Sequence, residues 1–257
     1  MNRLTPARPR LAAVAVGAVN IAATIAGALG VAALLPPASS WTIRLLVLLA
    51  LAAITTAVLA ATGAWRTAGF SARVAQPRLL LVPAAVALAP LVRGVQLPGA
   101  GMLTVFVLGY ALSGFFEEAL FRGLLMGMLR PTGAREEVWP AVWLSSALFA
   151  AAHLPNMLFG QAPAMTVAQA LGTLCFGVGY AAVRVRTATV LPLMLLHFLT
   201  DLFLRIDALP AWAHWTAMVG GDTLLLVYGL LLLRRAGVEQ DIAAATVPGA
   251  SAVTAGS

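Results

Sequence analysis

Long apolar runs separated by short polar breaks organise this chain. They cover residues 11–35, 43–64, 79–92, 101–129, 138–154, 166–183, 188–206 and 211–233. A helix needs about 20 mostly apolar residues to cross the hydrocarbon core of a bilayer. The pattern therefore predicts an all-α, polytopic membrane protein with about eight transmembrane helices. The third run is the shortest and is interrupted by Pro83 and Pro90, so it reads as a tilted or re-entrant segment.

Composition agrees with that reading. Of 257 residues, 61% are hydrophobic and only 10% are charged, and mean hydropathy is +0.94. A soluble domain carries about 25% charged residues. The net charge is +7, and all 16 basic residues are arginine. These arginines lie between the apolar runs and form no basic stripe with interleaved aromatics, which argues against a nucleic-acid partner.

Their placement instead orients the chain. With the N-terminus inside, the cytoplasmic segments hold Arg3, Arg8, Arg10, Arg66, Arg73, Arg78, Arg130, Arg135, Arg184, Arg186, Arg234 and Arg235. The opposite side holds Arg44, Arg93 and Arg205, and Arg122 lies within a span. Excess arginine in cytoplasmic loops is the positive-inside pattern. It predicts an even number of spans with both termini cytoplasmic. The first run is too long for a cleaved signal core and reads as a retained span. Residues 1–235 are expected to form one membrane domain, and the Ala-, Gly-, Ser- and Thr-rich stretch 236–257 a disordered tail. A lysine-free, alanine-rich chain of this kind suits a multi-pass protein of a bacterial inner membrane. Cys175, the single cysteine, lies inside an apolar run and reads as a small packed residue.

Ionisable residues inside spans are costly and mark functional sites. The fourth run holds Glu117, Glu118 and Arg122; the fifth, His153; the seventh, His197 and Asp201; the eighth, Asp222. Glu118 and Arg122 are one helical turn apart, acid first, and can pair. Glu117 points about 100° away and is left for acid–base work. His197 and Asp201 share a face. At about 1.5 Å per residue, Glu117 lies ~20 Å from Arg130, His153 ~24 Å from Glu137, and His197 and Asp201 ~16 and ~22 Å from Arg186. Three helices thus carry polar groups at similar depth, as one shared site requires. Asp222 has no evident partner beside Gly220 and Gly221. His214, near a span end, is expected to meet solvent, as are Glu136 and Glu137 in a loop. Gly123 and Gly127 form a small-xxx-small pair suited to close contact with a neighbour.

The motifs Glu117-Glu118-x-x-x-Arg122, Phe149-x-x-x-His153 and His197-x-x-x-Asp201 together resemble those of the CAAX protease and bacteriocin-processing (CPBP, or Abi) family. The resemblance covers roughly residues 112–204. It implies an eight-helix intramembrane protease, a hydrolase in which Glu117 and His153 activate a water and His197 and the residue at 201 stabilise the oxyanion. Glu118, Arg122 and Phe149 would support them. The eukaryotic enzyme has Asn where this chain has Asp201; an ionised Asp would repel an oxyanion, leaving Asp201 to be protonated, to orient His197, or to bind a metal. Family members are often named metalloproteases. Glu117, His153, His197 and Asp201 offer ligands for Zn²⁺ with an open position, yet no His-Glu-x-x-His run is present, and the same residues serve a metal-free mechanism. Both alternatives stand at this point.

The expected partners are membrane lipid and a hydrophobic or lipid-anchored peptide, including a prenylated one of the CAAX type. Two other readings use the same residues. Buried Glu, His and Asp also build proton relays in transporters, although the inverted repeat of many carriers is missing. A non-catalytic immunity or scaffold protein could retain the fold without the chemistry.

Overall fold

The computed structural model describes residues 6–35, 39–71, 73–130, 132 and 134–234; Arg3, Arg235 and the tail assigned to 236–257 lie outside them. The described residues are helical almost throughout. The helices are α1 (Pro9–Leu34), α2 (Ser40–Thr62), α3 (Leu81–Leu88), α4 (Ala100–Glu117), α5 (Met126–Leu129), α6 (Arg135–Ala151), α7 (Pro163–Thr187), α8 (Leu191–Ile206) and α9 (Ala211–Arg234). A π-helical segment, Glu118–Leu125, joins α4 to α5 without a break, so one continuous helical rod runs from Ala100 to Leu129.

Six helical segments are long and apolar enough to cross a bilayer: α1, α2, Ala100–Leu129, Glu136–Leu158, α7 and α9. The other two apolar runs are helical but short. The run at 79–92 becomes two 3-10 turns, Pro77–Leu80 and Ala89–Arg93, on either side of α3. Pro90 at the second junction lacks the N–H that would continue the α-helix. Helix α8 has 16 residues, ~24 Å at 1.5 Å each, against a core of ~30 Å. The eight apolar runs are therefore all helical, and six meet the length of a full span.

Packing places α7 at the centre, against α6 and α9, while α4 lies between α2 and α8. Residues 176–183 of α7 and the whole π segment are buried. Elsewhere many leucines and valines face outward, Leu29, Leu81, Val92 and Leu171 among them, as a lipid-facing surface requires. Without a hydrophobic force between helices in lipid, close approach depends on small residues. A Cβ on Gly179 would lie 2.6 Å from the Leu225 carbonyl of α9, and one on Gly114 would lie 2.8 Å from the Met194 carbonyl of α8. Gly123 and Gly127 do make the expected close contact. Their partner is the turn after α2: a Cβ on each would lie 3.2 and 3.3 Å from the Ala68 and Thr67 carbonyls, respectively.

Three local expectations change. Glu136 and Glu137 open α6 rather than lying in a loop, where acidic side chains favour the helix N-terminus. Glu137 also accepts from the Thr132 hydroxyl at 2.9 Å. His214 does not simply face solvent: its Nδ1–H donates to Asp207 at 2.7 Å. Cys175 is half-buried and is a free thiol.

Candidate active site

The rod Ala100–Leu129 carries the first motif at its α-to-π junction. Glu117 is the last α-helical residue and Glu118 the first π residue. A π turn adds a residue to the helical repeat and re-aims side chains, and such turns recur at functional sites. It also displaces backbone carbonyls from their usual donors. Here the Ser145 hydroxyl of α6 donates to the Phe121 carbonyl at 2.7 Å, in a fully buried contact.

Both glutamates reach the same imidazole on α8. His197 Nδ1–H donates to Glu118 Oε1 at 2.9 Å, while Nε2 lies 3.5 Å from Glu117 Oε2. Asp201, one turn along α8, places Oδ2 3.8 Å from the same Nε2. Gly114 permits this: one turn before the glutamates, it lets the α4 backbone meet α8 at Met194 and Phe198, the residues that flank His197. The expected pair of Glu118 with Arg122 is present at 3.0 Å, both side chains fully buried. Glu118 is therefore more than a structural counter-ion. It bridges Arg122 and His197, a role that four-residue spacing along one helix does not reveal.

Phe149 organises the rest. The Arg122 guanidinium lies 4.1 Å above its ring, and the rings of His153 and His197 meet it edge-on at 5.1 and 6.0 Å. His153 lies just beyond the end of α6, in the turn that leads to a 3-10 helix at Leu154–Phe159, and not within the helix as expected. Its Nδ1 is 2.9 Å from the Phe149 carbonyl. A carbonyl only accepts, so Nδ1 carries the proton and Nε2 of the neutral ring is left as an acceptor. His153 also lies within electrostatic reach of Asp201.

Exposure grades the acids. The Glu118 side chain is fully buried, that of Glu117 is 15% exposed and that of Asp201 30%. The two that face His197 Nε2 are the two that open outward. The site is thus closed on the Glu118–Arg122 side and open on the Glu117–Asp201 side.

Two contributors are not apparent in the sequence. Phe176 and Tyr180 of α7 stack at 3.9 Å and wall the site, with Phe176 4.9 Å from the His197 ring. Their four-residue spacing is the available signal, but it resembles ordinary packing. Asp222 of α9 lies against Gly172 of α7, where a Cβ would come 2.5 Å from Oδ2. It does not join the His197 cluster.

The same geometry bears on the metal alternative. Among the described residues no three His, Cys, Asp or Glu side chains are grouped to hold a metal ion. His197 engages Glu118 through Nδ1 and His153 a backbone carbonyl through Nδ1, contacts that leave Nε2 of each ring available.

Comparison with known proteins fits this geometry. No curated protein and no solved structure matches the chain. Residues 99–203 match the family model described as type II CAAX prenyl endopeptidase Rce1-like. That stretch, less than half of the chain, contains Glu117, Glu118, Arg122, Phe149, His153, His197 and Asp201, and the match supports a likeness to the CAAX protease (CPBP) family.

Proposed function

We propose that this membrane protein is an intramembrane endopeptidase that hydrolyses a peptide bond of a hydrophobic or lipid-anchored substrate, prenylated CAAX-type peptides included, with a water activated by Glu117 and His153. The observation that carries this reading is the double engagement of His197. Glu118 fixes one ring nitrogen, and the other is aimed at the two outward-open carboxylates.

Glu117 and Nε2 of His153 are both acceptors, and together they orient a water and take up its proton as it attacks the scissile carbonyl. The tetrahedral oxyanion then accepts from His197. With both nitrogens protonated, that ring donates Nδ1–H to Glu118 and Nε2–H to the oxyanion, a preorganised donor of the kind that stabilises developing charge. Glu117, now protonated, gives its proton to the leaving amine. Asp201 holds the His197 ring and, in its protonated form, does not oppose the oxyanion. We further propose that the protein lies in a bacterial inner membrane with both termini cytoplasmic, on the strength of the arginine distribution.

The test is reconstitution in liposomes with a farnesylated CAAX-type peptide and an unmodified apolar peptide, products being read by mass spectrometry. Cleavage at one bond, lost in both His153→Ala and His197→Ala, is the expected result. Substrate-independent proton flux that needs the same residues would support the transporter reading instead. A cellular phenotype that survives alanine at Glu117, His153, His197 and Asp201 together would support the scaffold reading.

A further inference from the structure

Helix α8 carries His197, Asp201 and Arg205 at four-residue intervals, hence along one stripe. Arg205 is exposed at its end, ~12 Å along the axis from His197. A second exposed arginine, Arg44 near the start of α2, meets it there. The Arg205 and Arg44 guanidiniums lie 5.5 and 5.6 Å from the centre of one indole ring, that of Trp41. Arg205 also covers Phe106 at 4.8 Å, and Arg44 covers Tyr110 at 5.7 Å. Trp41, Phe106 and Tyr110 pack on one another, with ring centres 4.9–6.2 Å apart.

Two guanidiniums on one aromatic platform repel each other, and neither has a carboxylate partner within ion-pair distance among the described residues. Stacking on rings orients them, but their donor edges remain unused. The nearest acid along α8 is Asp201, one turn before Arg205 on the same stripe and 30% exposed on the open side of the site.

We propose that Arg44 and Arg205 bind the free C-terminal carboxylate of the peptide substrate. Paired arginine forks match a carboxylate in charge and geometry. An extended peptide advances ~3.3–3.6 Å per residue. A carboxylate held at Arg205 therefore sets the bond presented to Glu117 and His197 about three or four residues from the C-terminus. The aromatic platform offers apolar contact to the last side chain. This rests on the endopeptidase reading, since it assigns a substrate anchor to that site.

The test measures binding apart from cleavage. Glu117→Gln protein in an uncharged detergent is titrated with a dansylated farnesyl peptide, as the free acid and as the C-terminal amide, and followed by fluorescence anisotropy. The acid is expected to bind at least ~10-fold more tightly. With Arg44→Gln and Arg205→Gln added, the acid should fall to the level of the amide and the amide should not change. Lysine at both positions should restore part of the preference. Equal binding of acid and amide, no binding of either, or a preference that survives the double substitution overturns the proposal. Should the double variant fail to fold, the single variants Arg44→Gln and Arg205→Gln decide: each should lose part of the acid preference, and an undiminished preference in both overturns the proposal. Retention of phosphatidylglycerol that needs both arginines, with no acid preference, overturns it in favour of a lipid headgroup. An acid preference in a protein whose wild type cleaves neither form would refute the endopeptidase reading and leave the carboxylate site standing; cleavage with no such preference would do the reverse.

Discussion

Glu118 accepts from Nδ1–H of His197 at 2.9 Å while it pairs with Arg122 at 3.0 Å, all through one oxygen, Oε1. A single buried carboxylate thus ties the rod Ala100–Leu129 to α8. It has two separable duties, charge balance for Arg122 and orientation of His197, and these respond differently to substitution.

Arg122→Met removes one partner of a buried pair and leaves Glu118 under-compensated. The expected loss is about 3–5 kcal/mol, read as a lower melting temperature in detergent. Replacing both residues, Glu118→Met with Arg122→Met, removes both buried charges and should recover most of that stability. It should not recover cleavage, because His197 has lost its anchor. Recovery of both would mean that the Glu118–His197 bond has no part in the chemistry.

Gly114 sets the distance between α4 and α8. A Cβ added there would come 2.8 Å from one backbone atom and 2.9 Å from another, and backbone cannot swing aside. Gly114→Ala should cost about 1–3 kcal/mol and separate the glutamates from His197. Gly179→Ala is the matched control: it forces α7 from α9 at Leu225, away from the glutamates. Melting temperatures of the two variants should fall comparably, whereas the Gly114 variant alone should lose kcat beyond what its folded fraction explains. Equal residual kcat in the two would contradict this.

Asp201 contacts His197 without the fixed bond that Glu118 makes, at 3.8 Å and with its side chain 30% exposed. Asp201→Asn keeps the size and a polar contact and, like the protonated acid, carries no charge to oppose the oxyanion. Cleavage by that variant should remain within about tenfold of wild type. Asp201→Ala, which keeps neither size nor contact, should fall by roughly 10²-fold or more, on the scale of one lost oxyanion-hole interaction. A steady-state comparison of kcat for the three proteins decides the point.

Much of this site is readable from the sequence because charge inside an apolar run is rare and helical spacing is regular. Glu118 with Arg122 and His197 with Asp201 follow from four-residue intervals alone, and depth along each run brings three helices to one level. What does not follow depends on contacts between helices. That Glu118 faces His197 needs the π turn and the Gly114 approach, and neither leaves a periodic signature. The apolar pattern continues past Ala151 and so places His153 inside a helix, although the backbone turns there. The fold is legible as helices but less so as spans: apolar content marks a run such as 79–92, whereas Pro90 and the neighbouring 3-10 turns decide how far it reaches.

Activation of the hydrolytic water by Glu117 is the step on which the proposed chemistry turns. Its most direct test is the rate of cleavage of a farnesylated CAAX-type peptide by wild type and by Glu117→Gln, both reconstituted and assayed in chelator-treated, metal-free buffer. The substitution preserves side-chain size, so the melting temperature should not change. Wild type should cleave under these conditions, and the variant should be at least ~10²-fold slower. A Glu117→Gln protein that cleaves at the wild-type rate would contradict the proposed mechanism.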